Sequence, residues 1–447
     1  MMEDKNEKTI SILLTLGMTL SLAACGGADT TTGTTGTETK TSNKTGDTIT
    51  MAIWDNNQRA GIQKIADEWS ETSGVQVEIE TLDWATYWSR LEAGVSGGEM
   101  PDVFWMHSAY AKLYEDSDVL LNLNDYIAND DAIDLNNYYD GIVKLYSQDG
   151  NQYAIPKDHD TIAVVYNKAV FDKYGVEYLT DDMSWQDFAD KAQEISEKGK
   201  DDGVYGTYMN CGNNQSGWYN LIYAYGGKVI SDDGTKSEMD SPETIKAMQF
   251  VVDEILPACP SQDSMANTGG DVMLQSGTVG MYVDGSWMVN SYYTADNKDD
   301  FAWVEIPYAD LNENGQCDEG ERVSLYNGLG WSIYKNSENQ DAAWSLVSAL
   351  TSKDGQMKQS EYGVTMAAYK GCSEAYANAF DGMDISAFLK VEENGTLVFR
   401  PYSKYTGRWE DNITTFFIDV WNDPSLLEST MHDIADDMNS YLEKEQE

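Results

Sequence analysis

The segment DLNENGQCDEGE, Asp310 to Glu321, sets oxygen-bearing side chains at the first, third, fifth, ninth and twelfth of its positions. Asp310, Asn312, Asn314, Asp318 and Glu321, with the Gln316 carbonyl at the seventh position and Gly315 at the sixth, have the ligand spacing of a calcium loop. Calcium would be a structural ion here, since no cofactor is required by anything else in the chain. Only three carboxylates contribute, which predicts weak affinity, in the range of about 10⁻⁴ to 10⁻³ M. The competing expectation is a Gly/Asn-rich hairpin turn that needs no ion. His107, His159 and His432 lie far apart and form no HxxxH pair, and Cys211, Cys259, Cys317 and Cys372 match no zinc spacing. Those cysteines form either one or two disulfides or packed free thiols. Neither a Walker A nor an HExxH pattern occurs.

What must position the loop reads as sheet. FAWVEIPY before it and RVSLYNGLGWSIY after it look like strands. A calcium sensor needs a helix pair that opens on binding, so the loop reads as a clip between strands rather than a switch. Upstream, TITMAIWD (48–55) is a short strand, and AGIQKIADEWSETSG (60–74) puts Ile62, Ile65, Ala66 and Trp69 on one helical face. VQVEIETL (75–82) alternates as a half-buried strand, and residues 84–106 continue as helix, loop and buried strand. Strand, helix, strand, helix, strand is the order of an open α/β sheet, whose ligands sit beyond the carboxyl ends of the strands. Farther on, 183–199 is an amphipathic helix with Ser184 as its N-cap, and 241–256 is another with Pro242 at its first position. Residues 276–292 read as strand, turn, helix; 338–352 is helical, and the chain to Glu447 is mostly helical.

At 447 residues the chain is long enough for two lobes with separate cores. Its 29 basic against 76 acidic side chains give a formal charge of −47, which opposes nucleic acid and anionic lipid. The run ISILLTLGMTLSL (10–22) is too short to span a membrane but suits an export signal. It ends in Leu-Ala-Ala-Cys, which resembles the lipobox of bacterial lipoproteins and implies a signal peptide over 1–24 and a lipid on Cys25. Residues 25–47 are a Gly/Thr tract with almost no large apolar side chain, the composition of a flexible tether.

The segments MAIWD, MPDVFWMH, YAIPKDHDTIAVVYNK, MSWQDFA, VGMYVDGSW and NGLGWSI, in that order over roughly 48–352, resemble the maltose-binding-like extracellular solute-binding proteins of bacterial carbohydrate ABC importers. The resemblance implies an α/β fold of the two-lobe periplasmic-binding-protein type (type II), with a hinge and a ligand cleft between the lobes. Lobe one would comprise 48–158 and 301–352, with the calcium-type loop on its outer edge, and lobe two 159–300 and 353–447. It implies a lipid-anchored, monomeric protein at the outer face of the cytoplasmic membrane, not an enzyme, with a carbohydrate ligand and ABC permease subunits as partners and no nucleic acid.

A sugar site needs flat aromatic faces for C–H patches and carboxylates or amides for hydroxyls. On the family's pattern the expected ligand residues are Trp54 and Asp55 at the end of the first strand, and Trp105 with His107 in the MPDVFWMH segment. Asp158 and Asp160 stand at the hinge crossing and Trp218 in the second lobe. Asp284 with Trp287 and Asn327 with Trp331 complete the set. Two alternatives stay open: a lipid-anchored glycoside hydrolase, which needs two carboxyls about 5 to 10 Å apart, and a binding protein for another solute such as a polyamine.

Overall fold

A computed structural model of the protein describes residues 48–209 and 214–446; the proposed signal peptide, Cys25, the tether up to residue 47 and Cys211 lie outside them. The strands that shape the site are, in chain order, β1 (Thr48–Ile53), β2 (Gln76–Thr81), β3 (Val103–Met106), β4 (Ile155–Pro156), β5 (Ile162–Asn167), β6 (Tyr205–Tyr208), β7 (Val279–Gly285), β8 (Phe301–Glu305), β9 (Val323–Tyr326), β10 (Gly330–Ile333) and β11 (Thr396–Phe399). Five of them make a first sheet in the order β2-β1-β3-β10-β4, with β1 parallel to both neighbours and β10 antiparallel to β3 and β4. Four make a second sheet, β8-β5-β7-β6, in which β5 runs antiparallel to β8 and β7. β9 and β11 pair in parallel beside it.

Local sequence explains the helices between them. The helix α1 (Asn56–Ser73) starts where the Asp55 carboxylate caps the Asn57 N–H, and stops at Gly74 in the left-handed region. Its buried face contains Ile62, Ile65, Ala66 and Trp69, as the spacing predicts. Asp83 caps α2 (Trp84–Gly97), and Ser184 with Asp187 forms a capping box on α3 (Trp185–Gly199). Downstream come α4 (Pro242–Phe250), which Ser241 caps, α5 (Gln340–Thr351), α6 (Lys353–Glu361), α7 (Ala387–Asn394), α8 (Thr406–Asn422) and α9 (Leu427–Glu445).

Each sheet has its own core, one built on Ile53, Trp105, Trp331 and Leu346, the other on Val164, Trp185, Met281 and Phe417. Two of the expected lobe boundaries move. β8 pairs with β5, and Ile306, Ala309, Val323 and Leu325 pack in the second core, so 301–326 belongs to lobe two rather than lobe one. Conversely α6 packs on α1, and Val364 and Ala368 lie in the first core, so lobe one extends past residue 352. The physical reason is the same in both cases: an edge strand or a covering helix is claimed by the partner that buries its apolar face, and that partner is distant in sequence.

The chain crosses between lobes at 157–161, at 327–329 and near 366, and the three crossings are hydrogen-bonded side by side. Lys157 N donates to Leu329 O at 2.7 Å, Asp160 N to Asn327 O at 3.1 Å, and His159 N to Met366 O at 3.2 Å. This hinge ribbon is the floor of the cleft.

Candidate ligand-binding site

The floor is polar and buried. Asp158 takes the Leu329 N–H at 2.7 Å and the Lys157 ammonium at 2.6 Å; that ammonium also donates to Gln58 at 2.7 Å and lies over the Trp105 ring, 4.7 Å from its centroid. Burial pulls the Lys157 pKa down against these anions. Asp160 accepts the Asn327 N–H at 2.9 Å and the Gln215 amide at 2.5 Å; burial, reinforced by Asp158, pushes its carboxyl up to about 7. His159 points away from the cleft, between Ala367 O and Glu392, each at 2.7 Å. Burial lowers its pKa, but the bond and attraction to Glu392 outweigh that and leave it raised.

The first lobe supplies an aromatic wall. Trp54 meets Trp84 edge-to-face at 5.2 Å and Trp105 at 4.8 Å, while Tyr110 stacks on Trp88 at 3.8 Å. Trp54, Trp84 and Tyr110 face the cleft, with Tyr87, Trp88 and Trp105 buried behind them. Trp84 is 42% exposed, an uncommon state for an indole outside a binding surface.

The second lobe supplies Trp287 and the segment from Arg400 into α8. Trp287 lies flat on its own chain: a Cβ on Gly285 would stand 2.1 Å from the ring, so only glycine allows that pose. Arg400 is paired with Glu410, which also accepts from Tyr219 at 3.2 Å. Burial raises Glu410, opposed by Arg400, and burial likewise raises Asp411 beside it. The lobes touch on both sides: Asn290 donates to Asn57 O at 2.8 Å, and Gly407 N to Ala109 O at 3.1 Å. Between them is a cleft of about 350 Å³.

Seven of the expected ligand residues meet here: Trp54, Asp55, His107, Asp158, Asp160, Trp287 and Asn327 line the cleft. Four do not. Trp105 and Trp331 face each other on paired strands, 5.8 Å apart inside the first core, and neither is accessible. Trp218 is packed against Phe417 at 5.0 Å in the second core. Asp284 is on a fully buried strand, its carboxylate taken by Gly285 N at 2.9 Å and the Tyr292 hydroxyl at 2.8 Å, and burial pushes it up to about 8. In each case the side chain fills a core its strand or helix could not otherwise complete.

Sequence reasoning missed Trp84, Tyr110, Gln58, Arg400, Glu410 and Asp411. Trp84 had a signal, since it directly follows the carboxyl end of β2, where open α/β sheets bind ligands. Arg400 to Asp411 had none before the fold placed β11 and α8 against the hinge.

The 310–321 loop lies between β8 and β9 and so on lobe two, not on the edge of lobe one. Asp310 accepts from the backbone of Asn314 and Gly315, and Glu321 from that of Leu311 and Asp318. Asp318 accepts from the side-chain amides of Asn312 and Asn314, and the Gln316 N–H goes to Asn314. Among the described residues no three His, Cys, Asp or Glu side chains are grouped as a metal would need. Cys259, Cys317 and Cys372 are free thiols, the first and last buried.

Two α/β lobes, three crossings and one interlobe cleft lined by rings and acids define a solute-binding protein of the hinged type. Residues 54–357 match the family model of the bacterial extracellular solute-binding protein, and the chain belongs to that family. Its members and structural neighbours are binding proteins rather than enzymes. Among its relatives, the maltotriose-binding protein of Pyrococcus abyssi is 25% identical over 325 residues, 69% of this chain and 64% of that one. An ABC substrate-binding protein of Listeria monocytogenes, solved with cycloalternan, superposes with a TM-score of 0.78 at 20% identity, covering 89% of this chain and 99% of that one. The GacH receptor of Streptomyces glaucescens, solved unliganded and with acarbose, superposes at 0.74 with 19% identity over 89% and 99%. No helix among the described residues is long and apolar enough to cross a membrane.

Proposed function

We propose that the cleft captures a short oligosaccharide outside the cell and delivers it to the membrane permease of an ABC importer. The observation that carries this is the meeting of flat aromatic faces from both lobes, Trp54, Trp84 and Tyr110 with Trp287, over a polar floor of Asp158, Asp160 and Asn327. Rings offer surface to sugar C–H patches, and a carboxylate fixes hydroxyls through charge-assisted bonds. A volume of about 350 Å³ is at the lower end of the ~300–1,000 Å³ usual for small-molecule sites, which favours a short ligand. Arg400, the one Arg or Lys among the lining residues, is already paired with Glu410, which disfavours a phosphate. The sugars bound by the relatives named above support the same class.

The reading extends to the N-terminus: a lipid on Cys25 and the tether to residue 47 would hold a monomer at the outer membrane face, with permease and ATPase as separate chains. Metabolic labelling with a palmitate analogue, abolished by Cys25→Ser, tests the anchor.

The decisive experiment is a thermal-shift and tryptophan-fluorescence screen of the purified protein against oligosaccharides, polyamines and peptides. A sugar at 100 times its Kd adds ~2.7 kcal/mol of stability. Response to an amine or peptide alone, or turnover of a sugar to shorter products, overturns the proposal. Calcium at 310–321 is a separate proposal that rests on the residue pattern: binding requires Asn312 and Asn314 to turn their amide oxygens inward. Calorimetry showing one calcium taken up at millimolar concentration supports it, and no uptake removes it.

A further inference from the structure

The cleft floor contains an arrangement that decides which way one amide faces. His107, just after β3, accepts the backbone N–H of Ala109 on Nδ1 at 3.1 Å. A ring nitrogen that accepts carries no proton, so the neutral imidazole holds its proton on Nε2. Burial, with Arg400 nearby, holds the ring well below the usual imidazole range and so uncharged. Yet Nε2 is 3.0 Å from Nδ2 of Asn327, which sets two donors against each other, and Oδ1 of that amide is buried without a partner. Turning the amide over removes the clash of donors and leaves the NH₂, rather than the oxygen, as the end without a protein partner; the two ends of an amide are told apart only by their hydrogen bonds.

We infer that His107 holds the Asn327 amide with its oxygen on the imidazole and its NH₂ toward the cleft, so that the floor offers a donor at Asn327 beside an acceptor at Asp160. The two residues adjoin: the Asn327 backbone N–H and Gln215 both bond Oδ1 of Asp160, at 2.9 and 2.5 Å, and no protein bond is made to its Oδ2 among the described residues. A donor next to an acceptor matches neighbouring hydroxyls, one accepting from Asn327 and the other donating to Asp160. The opposite amide orientation would put two acceptors side by side, the match for an ammonium. His107 is therefore a positioning residue that selects a vicinal diol over an amine, a conclusion that rests on the proposed sugar capture and narrows it.

The tautomer can be read without any ligand. Long-range ¹H–¹⁵N spectra of the full chain labelled at histidine, with the His107 signals identified by their loss in His107→Gln, are expected to show the neutral Nε2–H form, unchanged between about pH 5.5 and 8. A proton on Nδ1, or a charged ring, overturns the inference and leaves sugar capture standing. A cleft that binds no sugar in the screen sinks the functional reading and leaves the tautomer standing. In a protein that does bind sugar, Asn327→Asp keeps the oxygen for His107 and replaces the NH₂. Its affinity is expected to fall at least about tenfold with the fold intact by circular dichroism. Undiminished affinity, or wild-type binding of spermidine at this floor, overturns the inference.

Discussion

On one side of the cleft Trp54, Trp84 and Tyr110 come from a single stretch, residues 54–110, and rest on three more rings from the same stretch. On the other, Trp287 leaves the end of β7 while Arg400, Glu410 and Asp411 arrive more than 110 residues later, just after β11 and on α8. The first wall is held by ring-on-ring packing within lobe one. The second is held by one buried ion pair and by a glycine that lets a ring lie flat. A wall of packed rings offers a fixed shape. A wall of charges offers hydrogen bonds that are strongest when closure excludes water. Capture therefore divides into a docking face on lobe one and a closing face on lobe two.

That division can be broken first at its rigid side. Trp105→Ala empties a wholly buried position behind the docking face and removes the ring under Lys157, at an expected cost of about 3–5 kcal/mol in urea unfolding. Trp84→Ala, on the exposed front of the same wall, is expected to cost under about 1 kcal/mol of stability yet weaken sugar binding about tenfold. Equal stability losses for the two would show that front and back are one core. The closing face answers to charge instead. Arg400→Met leaves the mostly buried Glu410 without its cation, with an expected loss of about 3 kcal/mol. Arg400→Met with Glu410→Gln should recover most of it, and a double variant no better than the single would mean the pair does not hold this wall.

Sequence legibility cuts across the two walls. Trp54 and the hinge acids could be read because strand ends are marked by polar stops and because Asp158 and Asp160 stand where a buried strand begins, whereas Trp84 and Tyr110 of the same docking wall were missed. Trp105 and Trp331 were misread because rings flanking a strand end look alike whether they face a ligand or a facing strand, and only the β3–β10 pairing separates the two. Arg400 and Asp411 were unreadable because nothing local ties β11 to β9, a pairing spanning some 70 residues. The alternating and amphipathic patterns gave the helices and most strands, but not which sheet β8 would join.

The closing face also predicts a binding effect of its own, and behind it a pH effect. Trp287→Ala is expected to reduce sugar affinity about tenfold with little change in stability, since the ring lies on Gly285 rather than in a core. A loss of stability as large as that of Trp105→Ala would make the two walls alike after all.

Asp284, three residues before Trp287, is the acid that was expected in the cleft and proves to be structural. Burial raises its carboxyl to about 8, above its unfolded value near 4. An acid whose folded pKa is raised contributes stability that is full below the unfolded pKa and is lost as pH climbs through the folded one. Asp284→Asn mimics the protonated form, so the variant should melt with the wild type near pH 3 and above it at higher pH, by a gap that opens above about pH 4 and levels off above about pH 8. Asp160, raised to about 7, titrates in the same window but is present in both proteins and cancels from the difference. A gap in melting temperature that stays constant from pH 5 to 9 would mean that Asp284 is already ionised inside lobe two. A wild-type affinity for sugar that Asp284→Asn lowers while leaving stability alone would return that residue to the cleft from which its bonds to Gly285 and Tyr292 remove it.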